Sequence, residues 1–459
     1  TGCVARKEDD CNEVNMKKMI GCEQISAEVL KIIEDEKFTR GDLTSKLEVD
    51  RRKRAEEDIL ERITLDEEAG TVTASYEYLE PKLENLGNNK YGALKRAEKT
   101  LEQVRRKSYL MEPINEYVES QLEQGKWKEV SQEEMDNEFQ KHFVVYTWVE
   151  SPTSTSTKVR VVTDTSARTE TGVCLNDVIR DPPGRLQDMR GILLRSRASK
   201  DIVVFDIKQF YRSVKLSMKD SMLRLMWLPV GGFKKAEGEG KMEFKIVREV
   251  CVPFGDKPAC DYAVLAKNKV VDRYQDDIPE EVRKVVTDSL IRDCYVDDGT
   301  AMPDGGEDVE MIKEHVGKTL NRGGFQVKEY FSLQDGGQGK LLGLTWDRDL
   351  DCYSMKYRLN LGAVERGLRM EDDIRLEDIN RLEAFTRRNL LSLTCQFFDC
   401  MGFGTPLVMG LRILYSQVCN KGGVEMKDVL EPDMQIKIRE ALIELLQGPQ
   451  LKFQRRIVF

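Results

Sequence analysis

The segment Tyr295-Val296-Asp297-Asp298 places two adjacent carboxylates at the end of an apolar stretch, directly before Gly299. Neighbouring negative charges on a tight turn repel each other unless a cation lies between them, so this segment favours a divalent metal. A second apolar run, residues 202–205, ends at another carboxylate, Asp206. A two-metal phosphoryl-transfer site typically has this arrangement, in which one strand ends in an acid and a second strand and its turn carry two more acids. Alone, an Asp-Asp pair more often marks a solvated hairpin tip.

Composition excludes several other chemistries. The 459 residues include only two histidines, His142 and His315, which argues against most zinc sites and against a Ser-His-Asp hydrolase. The 11 cysteines form no C-x-x-C pair, a pattern typical of reduced thiols inside a cell. The net charge of -9 is unusual for a nucleic-acid enzyme, but the acidic excess lies in residues 1–150 and the rest is nearly neutral.

No apolar run is long enough to span a bilayer, and the start of the chain carries no signal-peptide pattern. We therefore expect a cytoplasmic protein with no membrane partner. The chain length predicts several subdomains. Alternation predicts a strand at residues 71–79 and a hairpin from residues 143–149 and 158–164, whereas residues 307–322 have the apolar spacing of an amphipathic helix. Beyond about residue 360 the pattern predicts helices.

Segments of this chain resemble, in order, the reverse transcriptases of long-terminal-repeat retrotransposons, and most closely the BEL/Pao group. The resemblance covers residues from about 86 to 420. It rests on a fingers segment, motifs A to D and a primer grip, which are Lys158-Val-Arg-Val-Val-Thr-Asp164, Asp206-Ile-Lys-Gln-Phe-Tyr211, Pro253-Phe-Gly255, Tyr295-Val-Asp-Asp298, Gly324-Phe-Gln-Val-Lys328 and Leu341-Leu-Gly-Leu-Thr-Trp346.

The resemblance implies an α+β, right-hand polymerase with fingers, a palm that carries an antiparallel sheet, a helical thumb, and a mostly helical N-terminal extension. The implied domains are an acidic extension (1–92), fingers with lead-in helices (93–200), palm with motif A (201–225), a fingers/palm hairpin (226–252), palm with motifs B, C, D and primer grip (253–358) and helical thumb (359–459).

The resemblance also implies the catalytic residues. Asp206 and Asp297 are expected to bind two Mg²⁺ ions, with Mn²⁺ as a possible substitute and the Ile207 carbonyl as a further ligand, and Asp298 assists. Oxygen ligands suit such a hard cation. Asp201 and Asp293 lie at the opposite ends of the two strands and are excluded from the site. Lys328 is implied as the acid that protonates departing pyrophosphate; a surface lysine is the alternative.

In the nucleotide pocket, Arg160 is expected to close over the triphosphate, because its planar donor fork fits phosphate. Tyr211 is expected to lie beneath the sugar and to exclude a ribose 2′-hydroxyl, and a structural core tyrosine is the alternative. Motif B departs from the family, because Gly255 is followed by Asp-Lys-Pro without the usual serine. The implied dNTP-binding set is Lys158, Arg160, Ile207, Lys208, Gln209, Phe210, Tyr211, Phe254 and Gly255. The implied primer and template set is Tyr295, Val296, Leu342, Gly343, Leu344 and Trp346.

The implied function is RNA- and DNA-dependent DNA polymerisation, in which dNTPs extend a primer 3′-hydroxyl and retrotransposon RNA is copied into cDNA. Expected partners are a primed RNA or DNA template and dNTPs, within virus-like particles if the element forms them. About 100 residues follow the sheet, room for a thumb but not for an RNase H domain as well. We therefore expect an excised part of a polyprotein with protease, RNase H and integrase, or a stand-alone copy. A domesticated, inactive fold that serves as a nucleic-acid-binding scaffold is the alternative function.

Overall fold

A computed structural model describes residues 46–150, 159–184, 186–233, 243–355, 379, 384–395, 399–447 and 451–457. Its helices are α1 Lys46–Glu61, α2 Glu80–Leu83, α3 Lys90–Arg106, α4 Met111–Glu123, α5 Gln132–Met135, α6 Leu175–Val178, α7 Met189–Ala198, α8 Met218–Met222, α9 Ala259–Tyr274, α10 Glu280–Ile291, α11 Val309–Asn321, α12 Arg387–Cys395, α13 Thr405–Lys421 and α14 Pro432–Gln447. Its strands are β1 Ile63–Asp66, β2 Thr71–Ala74, β3 Trp127–Glu129, β4 Val145–Glu150, β5 Val159–Asp164, β6 Val203–Lys208, β7 Val214–Leu216, β8 Leu225–Pro229, β9 Phe244–Glu249, β10 Cys294–Tyr295, β11 Asp298–Ala301, β12 Gln326–Ser332, β13 Gln338–Leu341, β14 Leu344–Asp347, β15 Cys352–Met355 and β16 Leu451–Gln454. The fold class is therefore mixed α+β.

A four-stranded antiparallel sheet in the order β10-β11-β6-β12 forms the centre of the fold. Strand β6 is buried on both faces, which explains its continuous apolar sequence. Phe205 packs with helices α9, α10 and α11, whereas Val204 packs with the C-terminal sheet. Gly299 in β11 is required by this packing, because a Cβ there would lie 2.1 Å from the Phe205 ring. The predicted strands around Asp206 and the Asp-Asp pair thus belong to one sheet.

Two further predictions of local structure are confirmed. The amphipathic segment forms α11, whose N-terminal amides Glu310 and Met311 donate to the Asp308 carboxylate and whose Ile312 and Val316 are buried. The predicted hairpin forms from β4 and β5, with Val149 paired to Arg160. Both predictions rest on local periodicity, which the surrounding fold does not override.

The described part of the N-terminal extension, residues 46–92, combines helices with a β-hairpin. Helix α1 leads into the β1–β2 hairpin, and β2 continues the sheet by pairing in parallel with β7. The strand predicted at residues 71–79 ends at Ala74, because the Tyr76 amide turns away to the Asp220 carboxylate. Ile63 and Val72 lie in the same hydrophobic core as β6. This segment is therefore part of the central unit.

In the described portion of the C-terminal part, α12, α13 and α14 share a separate apolar cluster. The last described strand, β16, was missed by the sequence prediction and completes the sheet β13-β14-β15-β16. It forms because Phe453 packs edge-on against Phe403, with ring centroids 4.9 Å apart, and because Arg455 pairs with Asp351 at 2.6 Å. None of the helices in the described ranges is both long and apolar enough to cross a membrane.

Candidate active site

Three carboxylates lie at one edge of the central sheet. Asp206 near the end of β6 and Asp298 at the start of β11 are direct cross-strand partners. Asp297 lies in the two-residue loop of the β10–β11 hairpin, where its carbonyl accepts a hydrogen bond of 2.9 Å from the Ile207 amide. Asp293, in contrast, is paired with Arg195 at 2.6 Å, as expected for an acid outside the site.

The hairpin that presents Asp297 has a strained backbone. Val296 has a φ of 60°, a left-handed conformation that a β-branched residue rarely adopts. Such strain costs about 1–3 kcal/mol and persists only where the surrounding structure fixes it. The Cys294 thiol donates to the Val296 carbonyl, and Tyr295 packs on the apolar cluster beneath the C-terminal sheet. The strained turn is therefore anchored by the two residues that precede Val296.

Burial and mutual repulsion both oppose ionisation of Asp298 in the acid cluster. Burial raises the pKa of Asp298 from 3.8 to about 7, and the neighbouring charges of Asp297 and Asp206 add to the rise. A carboxyl group in this position is half-protonated at neutral pH unless a cation compensates the charge. The electrostatics thus favour a cation at this edge of the sheet.

The oxygen donors of Asp206, Asp297 and Ile207 fit Mg²⁺. Among the residues that the structure describes, no three His, Cys, Asp or Glu side chains are arranged to hold a metal ion. The predicted set, Asp206 and Asp297 with the Ile207 carbonyl, needs only two carboxylates. Mg²⁺ is usually bound in this way, by one or two carboxylates together with substrate phosphates and water.

Lys328 reaches the acids through a β-bulge. In the pairing of β12 with β6, Val327 lies opposite Ile207 and Glu329 opposite Asp206, so Lys328 is the additional residue between them. A bulge re-aims the side chain that it carries. The Lys328 ammonium lies 3.6 Å from the Asp206 carboxylate and 3.1 Å from that of Glu329. The hydrogen bond to Glu329, with the Asp206 charge, raises the pKa of Lys328, so the group is protonated at neutral pH.

A cavity of about 1020 Å³ opens beside the acids. Gln209 has a φ of 49°, and a 3-10 turn, Phe210–Ser213, follows it and turns the chain along the cavity wall. The predicted residues that line the cavity are Asp206, Ile207, Lys208, Gln209, Phe210, Tyr211, Phe254, Val296, Asp297 and Lys328. The structure thus brings Asp206, Asp297, Lys328 and most of the implied nucleotide-binding residues to one space, whereas Asp298 lines a smaller cavity that also borders Asp206.

Tyr211 lines this cavity and also packs against the central hydrophobic core. Its ring centroid is 5.4 Å from that of Phe254 and 5.8 Å from that of Phe210. Burial raises the pKa of the Tyr211 hydroxyl, with contributions from the Cys260 thiol and the Asp297 charge. The ring therefore stays neutral and is held by aromatic neighbours, which suits a steric role.

The motif B loop is fixed by side chains from outside it. The Phe254 carbonyl accepts from the Thr163 hydroxyl at 2.7 Å, and the Gly255 carbonyl accepts from Thr165 at 2.6 Å and from Asn176 at 2.9 Å. Gly255 has a φ of 115°, and a Cβ there would lie 2.2 Å from the Thr163 carbonyl oxygen. Only glycine fits this approach.

The two fingers cations are only partly described. Lys158 lies outside the described residues, and for Arg160 the backbone alone is described, in β5 opposite Val149. The residue before it, Val159, lines the large cavity. The strand that carries Arg160 therefore begins at the cavity, and the role of the guanidinium stays a prediction.

The predicted primer residues divide into two groups. Leu342 and Gly343 form the β13–β14 turn, with φ values of 46° and 87°, and a cavity of about 410 Å³ lies between this hairpin and Asp206. Leu344 and Trp346 lie in β14 and, like Leu342, are buried, and the Trp346 indole donates to Asp351. Their side chains support the hairpin from the core, so direct contact with a primer is not expected of them.

The sequence did not indicate that Lys126 and one face of α4 lie beside the candidate site. Glu112, Tyr117 and Ser120 of that helix line the large cavity, and the Lys126 ammonium donates to the Gln209 side chain. Burial lowers the pKa of Lys126 to about 8, and the nearby positive charges contribute. The helix has an ordinary amphipathic sequence, and no local pattern connects it with motif A.

A family model described as Pao retrotransposon-like RNaseH-like domain matches residues 386–459. The match supports a protein of a BEL/Pao retrotransposon, and the description suggests a family of nucleic-acid-processing enzymes. The matched segment holds α12, α13, α14 and β16 in its described part and includes none of the three candidate acids. It lies within residues 359–459, for which the sequence predicted a helical thumb. From the sequence, no RNase H domain was expected there. The search of the curated proteins gave no match.

Proposed function

We propose that this chain is a reverse transcriptase, an RNA- and DNA-dependent DNA polymerase that extends a primer 3′-hydroxyl with dNTPs and copies retrotransposon RNA into cDNA. The observation that carries the proposal is the cross-strand pair Asp206 and Asp298, with Asp297 in the adjoining hairpin loop, beside a cavity of about 1020 Å³. Apolar strands that end in acids at the edge of such a space favour phosphoryl transfer.

Asp206, Asp297 and the Ile207 carbonyl would hold two Mg²⁺ ions, and bound Mg²⁺ lowers the pKa of the primer hydroxyl and neutralises the leaving pyrophosphate. The residues of the chain supply the remaining steps. The protonated Lys328 ammonium, 3.6 Å from Asp206, can donate a proton to the pyrophosphate. Asp298 keeps the local potential negative and thereby favours cation binding.

Tyr211 and Phe254 would form the floor beneath the nucleotide sugar. Their rings are in contact, and the Gly255 turn brings Phe254 against Tyr211. A ribose 2′-hydroxyl would collide with the Tyr211 ring, so deoxynucleotides are preferred. We expect Tyr211→Ala to raise ribonucleotide incorporation, measured as the ratio of rUTP to dTTP efficiency on poly(rA)/oligo(dT). An unchanged ratio would contradict the steric role.

The partners follow from this reaction. A primed RNA or DNA template would lie across the β13–β14 hairpin, and the family match of residues 386–459 supports origin from a retrotransposon polyprotein. Protease and integrase activities would then belong to other parts of that polyprotein, whereas the RNaseH-like match lies in this chain. The site of action would be the cytoplasm or a virus-like particle.

Primer extension with Mg²⁺ tests the proposal. The wild type should extend oligo(dT) on poly(rA), and Asp297→Asn should abolish extension. Asp201→Asn is the matched control, because Asp201 lies at the start of the same sheet and its carboxylate accepts from the Ile202 amide. If the wild type gives no extension and equals Asp297→Asn, the enzyme hypothesis fails. Retained binding to the same duplex would then favour the inactive scaffold.

A further inference from the structure

A buried group of polar side chains connects the N-terminal segment with the motif B loop. Its members are Tyr78, Asp220, Arg224 and Asp256, which we call the Arg224 cluster. Arg224 and Asp256 are both fully buried, and the Arg224 Nε donates to Asp256 at 2.7 Å. Asp256 directly follows Gly255, so one end of the cluster is the nucleotide-side loop itself.

The other end of the cluster lies before residue 80. The Tyr78 hydroxyl donates to the Asp220 carboxylate at 2.5 Å and accepts from Arg224 Nη1 at 3.2 Å. Nη1 also donates to the Asp220 carbonyl at 2.7 Å, and the Tyr76 ring lies 4.9 Å from the guanidinium carbon. The position of Arg224, and with it that of Asp256, is therefore set by a tyrosine more than 140 residues away in sequence.

A buried charge pair needs such fixed geometry. Burial raises the pKa of Asp256, and the Arg224 charge opposes that rise. A carboxylate in a dry environment stays ionised only while its partner is held at hydrogen-bonding distance. A shift of Arg224 would therefore release Asp256 and let the loop move.

Movement of Asp256 would be transmitted to the nucleotide floor. The loop from Phe254 to Asp256 is held on its other side by the hydroxyls of Thr163 and Thr165. Phe254 contacts Tyr211, whose ring lines the large cavity. The loop lacks the serine that the family usually has, and the buried Asp256 gives it a different anchor.

We propose that the Arg224 cluster positions the motif B loop for nucleotide binding, and that Tyr78 brings the N-terminal segment into this role. This inference rests on the proposed polymerase function. Tyr78, Arg224 and Asp256 are positioning residues, since they act through Phe254 and touch no reacting atom. The segment before residue 80 then tunes affinity for the incoming dNTP rather than serving as an external extension.

Tyr78→Phe tests the inference, because it removes one hydroxyl and keeps the ring. The matched control is Tyr353→Phe, which removes an equally buried hydroxyl bonded to Ser196 at 2.9 Å, away from the loop. We expect Tyr78→Phe to raise the KM for dTTP about fivefold, the order expected for loss of a buried hydroxyl that bonds both Asp220 and Arg224, with kcat within about twofold of wild type. Tyr353→Phe should leave the KM for dTTP unchanged, even if it lowers the melting temperature as much as Tyr78→Phe does.

Hydrogen–deuterium exchange provides a readout that needs no activity. Peptides covering residues 253–259 should exchange faster in Tyr78→Phe and in Asp256→Asn than in Tyr353→Phe. Unchanged exchange and an unchanged KM in Tyr78→Phe would overturn the inference, as would an equal rise in KM for Tyr353→Phe. If the wild type extends no primer, the proposed function fails, and loop exchange alone decides whether the cluster holds the loop.

Discussion

Replacement of Asp298 by Asn should stabilise the metal-free protein at alkaline pH and have little effect near pH 4. The carboxyl group is largely buried opposite Asp206 and beside Asp297, so its ionised form is opposed by burial and by two like charges. Asn has nearly the same shape and carries no charge. The substitution therefore removes the repulsion while it leaves the β6–β11 pairing in place.

The magnitude follows from the pKa. A rise from 3.8 to about 7 corresponds to ~4 kcal/mol, and solvent screening of the partly exposed group reduces the expected gain to about 2–3 kcal/mol. Between these pH values the unfolded chain releases the proton while the folded protein keeps it. The free energy of unfolding of the wild type therefore falls as pH rises through this window and stays low above it. The advantage of Asp298→Asn grows in the same window and is complete above pH 7.

Urea unfolding in EDTA, followed by circular dichroism from pH 5 to 8.5, measures this difference. A gain that is the same at every pH, or a loss of stability at pH 8.5, would refute the reasoning. Asp293→Asn is the control, because Asp293 pairs with the largely buried Arg195 and its neutralisation should destabilise the protein throughout. Addition of Mg²⁺ should stabilise the wild type more than Asp298→Asn, since a ligand stabilises the state that binds it better.

Three other substitutions give distinct outcomes. Arg455→Ala should lower the free energy of unfolding by about 3 kcal/mol or more, measured in urea, because it breaks the pair with Asp351 and leaves main-chain carbonyls unbonded. Gly255→Ala should cost about 2–4 kcal/mol, seen as a lower melting temperature, because its Cβ would lie 2.2 Å from the Thr163 carbonyl oxygen. Burial lowers the pKa of His142 to about 4, so stability should fall by up to ~3 kcal/mol as pH drops from 6.5 to 4, and His142→Gln should flatten this dependence.

The parts of the site that the sequence predicted have local signals. Asp206 follows the continuous apolar run of β6, and Asp298 begins β11 directly after the hairpin loop, so their place at the end of paired strands could be inferred before any pairing was known. Helix α11 was predictable because its apolar residues recur at helical spacing. In each case a few adjacent residues carry the information, and the tertiary environment agrees with it.

The remaining features depend on contacts between distant residues. Lys126 bonds Gln209 across 83 positions, and Arg224 meets Asp256 across 32, and neither pair has a sequence pattern. The bulge at Lys328 arises only from the pairing of β12 with β6. A single charged residue in a sequence is predicted to lie on the surface, because a charged side chain is buried only where a partner compensates its charge, and the sequence does not show that partner.

Strand β16 shows why a boundary in sequence need not be a boundary in packing. The family match of residues 386–459 contains β16, yet β16 pairs with β15, which lies outside the match. Arg455 binds Asp351 and the carbonyls at the end of α7, also outside it. Removal of the matched segment would uncover the edge of β15 and leave Asp351 without its buried partner. The helices α12 to α14 have their own apolar cluster. The segment that contains them is nevertheless joined to the sheet beside the acids by the edge strand β16 and the buried Arg455. We therefore expect the matched segment and this sheet to depend on each other for stability.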